Sequence, residues 1–89
     1  MTDPKDGALK PITPARVASE LSKISAQRQN GELDKYEYEH RFSRMISELR
    51  DRRIEGSRAE ILAELTPLRE QGVVTAPDWQ RLVRQLGLV

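Results

Sequence analysis

The chain is 89 residues long, with 15 basic and 14 acidic side chains, a formal net charge of +1, 37% hydrophobic residues and no cysteine. That length holds one small domain with a thin core; the balanced charge offers no general field for polyanions, and the missing cysteine excludes disulfides and zinc–sulfur sites. No apolar run approaches the roughly 18 residues of a membrane span, and the N-terminus lacks the apolar stretch of a secretory signal, so the cytoplasm is the expected compartment.

Residues 1–12 carry Pro4, Gly7 and Pro11 and little that packs, which predicts a flexible N-terminal arm. Thr13 followed by Pro14 is a helix start, an N-cap oxygen and then a proline whose missing N–H is not needed there. Val17, Leu21 and Ile24 follow at helical spacing, and Gly31 is placed to end the helix. Asp34 and Glu37 form a capping-box pair for a second helix, with Leu33 and Tyr38 as its hydrophobic staple. Tyr38, Phe42, Met45, Ile46 and Leu49 then mark one stripe, and the helix is expected to run to about Arg53. Gly56 and Ser57 break the chain, Ser57 and Glu60 make the next capping box, and Ile61, Leu62, Leu65 and Leu68 give the third stripe. Pro67 must kink that helix or end its regular part. After Gly72, Thr75 is placed to cap a fourth helix with Pro77 in its first turn and a stripe of Trp79, Leu82, Val83 and Leu86. No segment alternates with period two over a useful length.

The two halves align at an offset of 41 residues. Ile24 falls on Leu65, Gly31 on Gly72, Leu33 on Val74, Asp34 on Thr75, Glu37 on Asp78, Tyr38 on Trp79 and Phe42 on Val83. Each unit reads as helix, glycine stop, staple residue, cap, and a helix opening with an aromatic. A lone hairpin of this kind leaves its apolar face bare, so two must stack. The expected architecture is therefore all-α: two stacked helical hairpins, residues 13–54 and 57–89, forming a single helical domain behind the arm.

The unit from Leu21 to Ile46, with Gly31, Leu33, Asp34, Glu37 and Tyr38 at the motif positions, resembles the short helical-hairpin domain called SHOCT. The second unit, Leu62 to Leu86, departs from it at Pro67 and Pro77. The resemblance implies an oligomerisation or protein-interaction module.

No catalytic constellation is visible: there is no nucleophile elbow, no phosphate-cradling glycine loop and no dyad. His40 is the only imidazole; Glu37, three residues before it, makes half a metal site at most, with no second histidine and no cysteine to complete it. Glu32, Asp34, Glu37 and Glu39 surround a helix start, where carboxylates meet the dipole. No enzymatic activity, metal or cofactor is expected. Arg50, Arg52, Arg53 and Arg58 cluster at the second break and are the strongest nucleic-acid signal, although Asp51, Glu55 and Glu60 interleave with them. Glu37, Arg41, Arg44, Glu48 and Arg52 run along one flank of the second helix with mixed sign, the pattern of a solvated face. Read as a helix-turn-helix, the last two helices would turn Arg81 and Arg84 toward a groove.

Aromatic residues and arginine dominate interface hot spots. Tyr36, which projects away from the Tyr38 stripe, Arg50, Arg53, Trp79 and the C-terminal Leu88 are therefore the expected partner-binding residues. The function expected is that of a small non-enzymatic protein-binding module: an adaptor, assembly factor or inhibitor of a bacterial or phage complex, with a homodimer among its expected assemblies and no membrane partner. The alternative is a nucleic-acid-binding regulator using the Arg50–Arg58 region.

Overall fold

The computed structural model describes residues 10–88. Four helices follow one another: α1 (Pro14–Gln29), α2 (Lys35–Arg52), α3 (Arg58–Glu70) and α4 (Ala76–Gln85). There is no strand among the described residues, and the fold is all-α. None of these helices is long and apolar enough to cross a membrane.

The starts and stops are chemical. The Thr13 hydroxyl accepts from the Arg16 amide at 3.2 Å. At α2, Asp34 Oδ1 accepts from the Glu37 amide at 2.8 Å while Glu37 Oε1 accepts from the Asp34 amide at 3.0 Å. Ser57 and Glu60 repeat this reciprocal pair at 3.1 and 2.7 Å, and the bond from the Ser57 amide holds the Glu60 carboxyl below its ordinary range. Glycines at φ +82° (Gly31) and +80° (Gly72) close α1 and α3, a left-handed conformation that L side chains resist.

The 41-residue repeat is written into the backbone. After α1 the amides of Glu32 and Leu33 both donate to the Gln27 carbonyl, at 2.8 and 3.1 Å; after α3 those of Val73 and Val74 both donate to the Leu68 carbonyl, at 2.8 and 3.2 Å. Leu33 and Val74 then enter the core at matching points. The helix–helix packing is less regular. α1 lies closest to α3, with α1–α2 and α2–α4 the next closest pairs, so the hairpins meet with α3 on α1 and α4 along α2. Phe42, Leu21, Leu65, Leu82 and Val17 are the largest fully buried side chains at the centre, each supplying roughly 1.5–3 kcal/mol of burial.

Two expectations are corrected, at Ile12 and at Thr75. Ile12, assigned to the arm, is buried at 7% exposure. It forms an isolated parallel bridge to Ile54, its amide donating to the Arg53 carbonyl at 3.0 Å and its carbonyl accepting from the Glu55 amide at 2.8 Å. The arm as expected over residues 1–9 lies outside the described residues. Pro67 lies inside α3, which continues to Glu70. The Thr75 side chain makes no capping bond. Asp78, aligned with the capping residue Glu37, is buried at 7% exposure and accepts instead from the Tyr38 hydroxyl at 2.9 Å. That bond ties the first hairpin to the second.

Candidate functional site

The outward side of α2 is built by helical periodicity. Tyr36, Ser43, Ser47 and Arg50 stand at steps of seven, four and three residues, so they share a stripe opposite the buried Tyr38, Phe42 and Leu49. Tyr36 heads this stripe and is 87% exposed, the one large hydrophobic residue so displayed among the described residues.

Three hollows follow one another along this side. The first holds Tyr36, Lys35, Glu39, His40 and Ser43. The second shares Ser43 with it and adds Ser47, Arg50, Arg81 and Gln85. The third shares Arg50 and Gln85 and continues past Arg53 over Ile54, Ile61, Leu86 and Leu88. The second and third form one groove between α2 and α4, and the first, lined from the α2 side alone, adjoins it at Ser43; along this row Tyr36 and Arg50 are separated by roughly 21 Å of helix. Its middle is low because Ser43 and Ser47 are small.

Side-chain bonds from α4 join the groove's floor to α2. Arg81 from α4 bonds Glu39 Oε2 at 2.5 Å and donates to Ser43 Oγ at 3.0 Å; it also lies 3.5 Å from Asp78 Oδ1, with its guanidinium 4.9 Å from the centre of the Phe42 ring. Arg81 is thus a structural clamp between α2 and α4, a different role from the groove-facing one that a helix-turn-helix requires. Beneath it, burial first and the Asp78 hydrogen bond second push the Tyr38 hydroxyl up to about 12, so this link stays protonated. Tyr38 also stacks on Phe42 with centroids 5.9 Å apart, and the Arg28 guanidinium lies 4.7 Å over its ring.

At the far end Arg50 Nη1 donates to Gln85 Oε1 at 3.3 Å. Arg53 is the C-cap of α2 with φ 71° and ψ 151°, a region that belongs almost entirely to glycine and costs on the order of 1–3 kcal/mol. The Ile12 amide, bonded to its carbonyl, holds it there.

Of the five residues expected at a partner surface, Tyr36, Arg50 and Arg53 stand exposed along this row of hollows, the two arginines in the α2–α4 groove. Leu88 is buried at 5% exposure and forms part of that groove's floor, because Gly87 at φ +68° turns it back under α4. Trp79 is half-buried against the core, away from the groove lining. The four-arginine cluster is divided: Arg50 and Arg53 face the α4 side, whereas Arg52 faces α1 and its Nε donates to the Lys10 carbonyl at 3.1 Å. Sequence periodicity put Tyr36 and Arg50 on one side of α2. It missed Ser43, Ser47 and Gln85, whose role depends on where α4 lies. No group of three or more metal-ligating side chains exists among the described residues.

No protein-family model matches this chain, and neither a curated protein nor a solved structure shows significant similarity to it.

Proposed function

We propose that the chain is a small non-enzymatic protein-binding module, an adaptor, assembly factor or inhibitor acting in the cytoplasm of a bacterium or its phage, and that a segment of its partner lies along the α2–α4 groove. One observation carries the reading: an aromatic ring exposed at 87% heads a row of adjoining hollows that ends in two exposed arginines over an apolar floor. Aromatic and arginine anchors are the chemistry of interface hot spots. The serines between them let a partner's backbone approach closely, and the Arg81 clamp keeps the surface pre-formed, which lowers the ordering cost of binding. The resemblance of the first hairpin to a SHOCT-type interaction module supports the same reading. A nucleic-acid regulator needs its arginines on one surface, and the division of the cluster between two sides of α2 favours a protein partner.

The test is capture of partners from the source cell by tagged wild-type protein, Tyr36→Ala, and a double Arg50→Glu, Arg53→Glu variant, read by mass spectrometry. The same partner is expected to be lost with both variants while circular dichroism and melting stay unchanged. Retention by both variants overturns the site. Loss with the arginine variant alone, fading steeply as salt rises, indicates nucleic acid instead.

A further inference from the structure

The opposite flank of α2 carries a second and chemically different hollow. It lies between α1 and α2 and has a volume of ≈ 600 Å³. Arg16 and Glu20 stand on the α1 bank; Arg41, Arg44, Glu48 and Arg52 stand on the α2 bank. Four arginines against two glutamates leave the groove at +2. Between the banks, half-buried Met45 is the apolar group that reaches the surface, over the buried Val17, Ile24 and Leu49.

From the structure we infer that this α1–α2 groove is a second binding surface, for an acidic amphipathic helix of another protein, and that the molecule is bivalent. The α1–α2 groove stands on residues separate from the α2–α4 site, while bivalency rests on that reading as well. Arg41 and Arg52 are 11 residue steps apart, roughly 16 Å, the length of about three helical turns. Two antiparallel helices with a valley between them present the seat into which a third helix packs. Charge selects its chemistry. Arg16 is paired with Glu20 at 3.3 Å and Arg52 Nε is bonded to the Lys10 carbonyl, so carboxylates spaced along the incoming helix meet Arg41 and Arg44 first, and an apolar residue at its centre covers Met45, whose flexible thioether adapts to varied shapes. A nucleic-acid strand fits less well: its uniform negative charge opposes Glu20 and Glu48, and no aromatic ring lines the groove to stack a base. A symmetric second copy of this chain would set arginine against arginine.

The consequence for function is an α2 exposed on both flanks, one partner at Tyr36, Arg50 and Arg53 and another at Arg41 and Arg44, held rigidly relative to each other by a single helix. That is the geometry of a bridging adaptor.

The test uses the full chain, ¹⁵N-labelled, titrated with a synthetic amphipathic peptide of glutamate, alanine and leucine about three turns long. Parallel titrations use the same peptide with lysine for glutamate and a single-stranded oligoribonucleotide. The acidic peptide is expected to shift the amides of Arg16, Arg41, Arg44 and Met45 and leave those of Tyr36 and Arg53 in place. Arg41→Glu with Arg44→Glu is expected to weaken it roughly tenfold, and Glu48→Arg, a gain of function independent of any folding defect, to tighten it by a similar factor. Tyr36→Ala leaves this binding unchanged, which separates it from failure of the α2–α4 site. Absence of shifts in the groove, tighter binding of the oligoribonucleotide there, or the same shifts produced by raising the protein concentration alone overturns the inference.

Discussion

Removal of one oxygen, by Tyr38→Phe, tests how the two hairpins are joined. The Tyr38 hydroxyl donates to Asp78 Oδ2 at 2.9 Å in a buried setting, and Asp78 is 7% exposed. Without the hydroxyl the Asp78 carboxylate keeps Arg81 at 3.5 Å but loses its hydrogen bond from Tyr38. Leaving a buried charged acceptor so reduced costs about 1–3 kcal/mol. In a domain of this size that corresponds to a fall in Tm of roughly 5–15 °C. The variant also carries a pH signature. The Tyr38 hydroxyl is pushed up from the ordinary 10 to about 12, so the protonated form is the one stabilised by folding. Its contribution is complete below the unfolded value of about 10 and is lost as pH rises toward 12, about 2–3 kcal/mol over that window. Urea unfolding of wild type, Tyr38→Phe, Asp78→Ala and the double variant at pH 7 measures the coupling, expected at about 1–2 kcal/mol. Repeating wild type and Tyr38→Phe up to pH 12 isolates the tyrosine from every other group, since the two proteins share all of them. A Tyr38→Phe variant within about 0.5 kcal/mol of wild type, or parallel alkaline curves for the two proteins, refutes the reasoning.

Ile12→Ala is expected to cost about 2–4 kcal/mol in urea unfolding, because Ile12 is buried against the core and bridged to Ile54; a change near zero would return it to the arm. Gly31→Ala and Gly72→Ala are expected to destabilise by nearly equal amounts, about 1–2 kcal/mol each, since both stand near φ +80° with nothing within 4 Å of an added Cβ. Arg53→Gly is expected to raise Tm, since it relieves the backbone at φ 71°; a fall in Tm would show that the conformation carries no strain.

Much of this fold is local and was therefore legible in the chain. A capping box at Asp34 and Glu37, another at Ser57 and Glu60, glycine stops at Gly31 and Gly72, and stripes at helical spacing each depend on residues within a turn of one another, and those forces act whatever the rest of the chain does. The 41-residue repeat was legible for the same reason. The direction of Tyr36 away from the core follows from 100° per residue and the position of Tyr38. What joins distant segments was not legible. Glu37 and Asp78 occupy equivalent positions in the repeat, yet one caps its own helix and the other accepts a bond from a residue 40 positions away, because only Asp78 is brought against a buried hydroxyl. Ile12 sits in a run that looks unable to pack, and it is held in the core because the Arg53 carbonyl and the Glu55 amide take up its backbone groups. Arg50, Arg52 and Arg53 are neighbours in sequence but face two different grooves, since one helix turn sends adjacent side chains to opposite flanks and α1 and α4 occupy those flanks. Sequence determined which helices form and which of their faces are apolar. The docking of α3 on α1 and of α4 along α2, which depends on how side chains distant in sequence pack together, decided where the grooves lie and what charge each one presents.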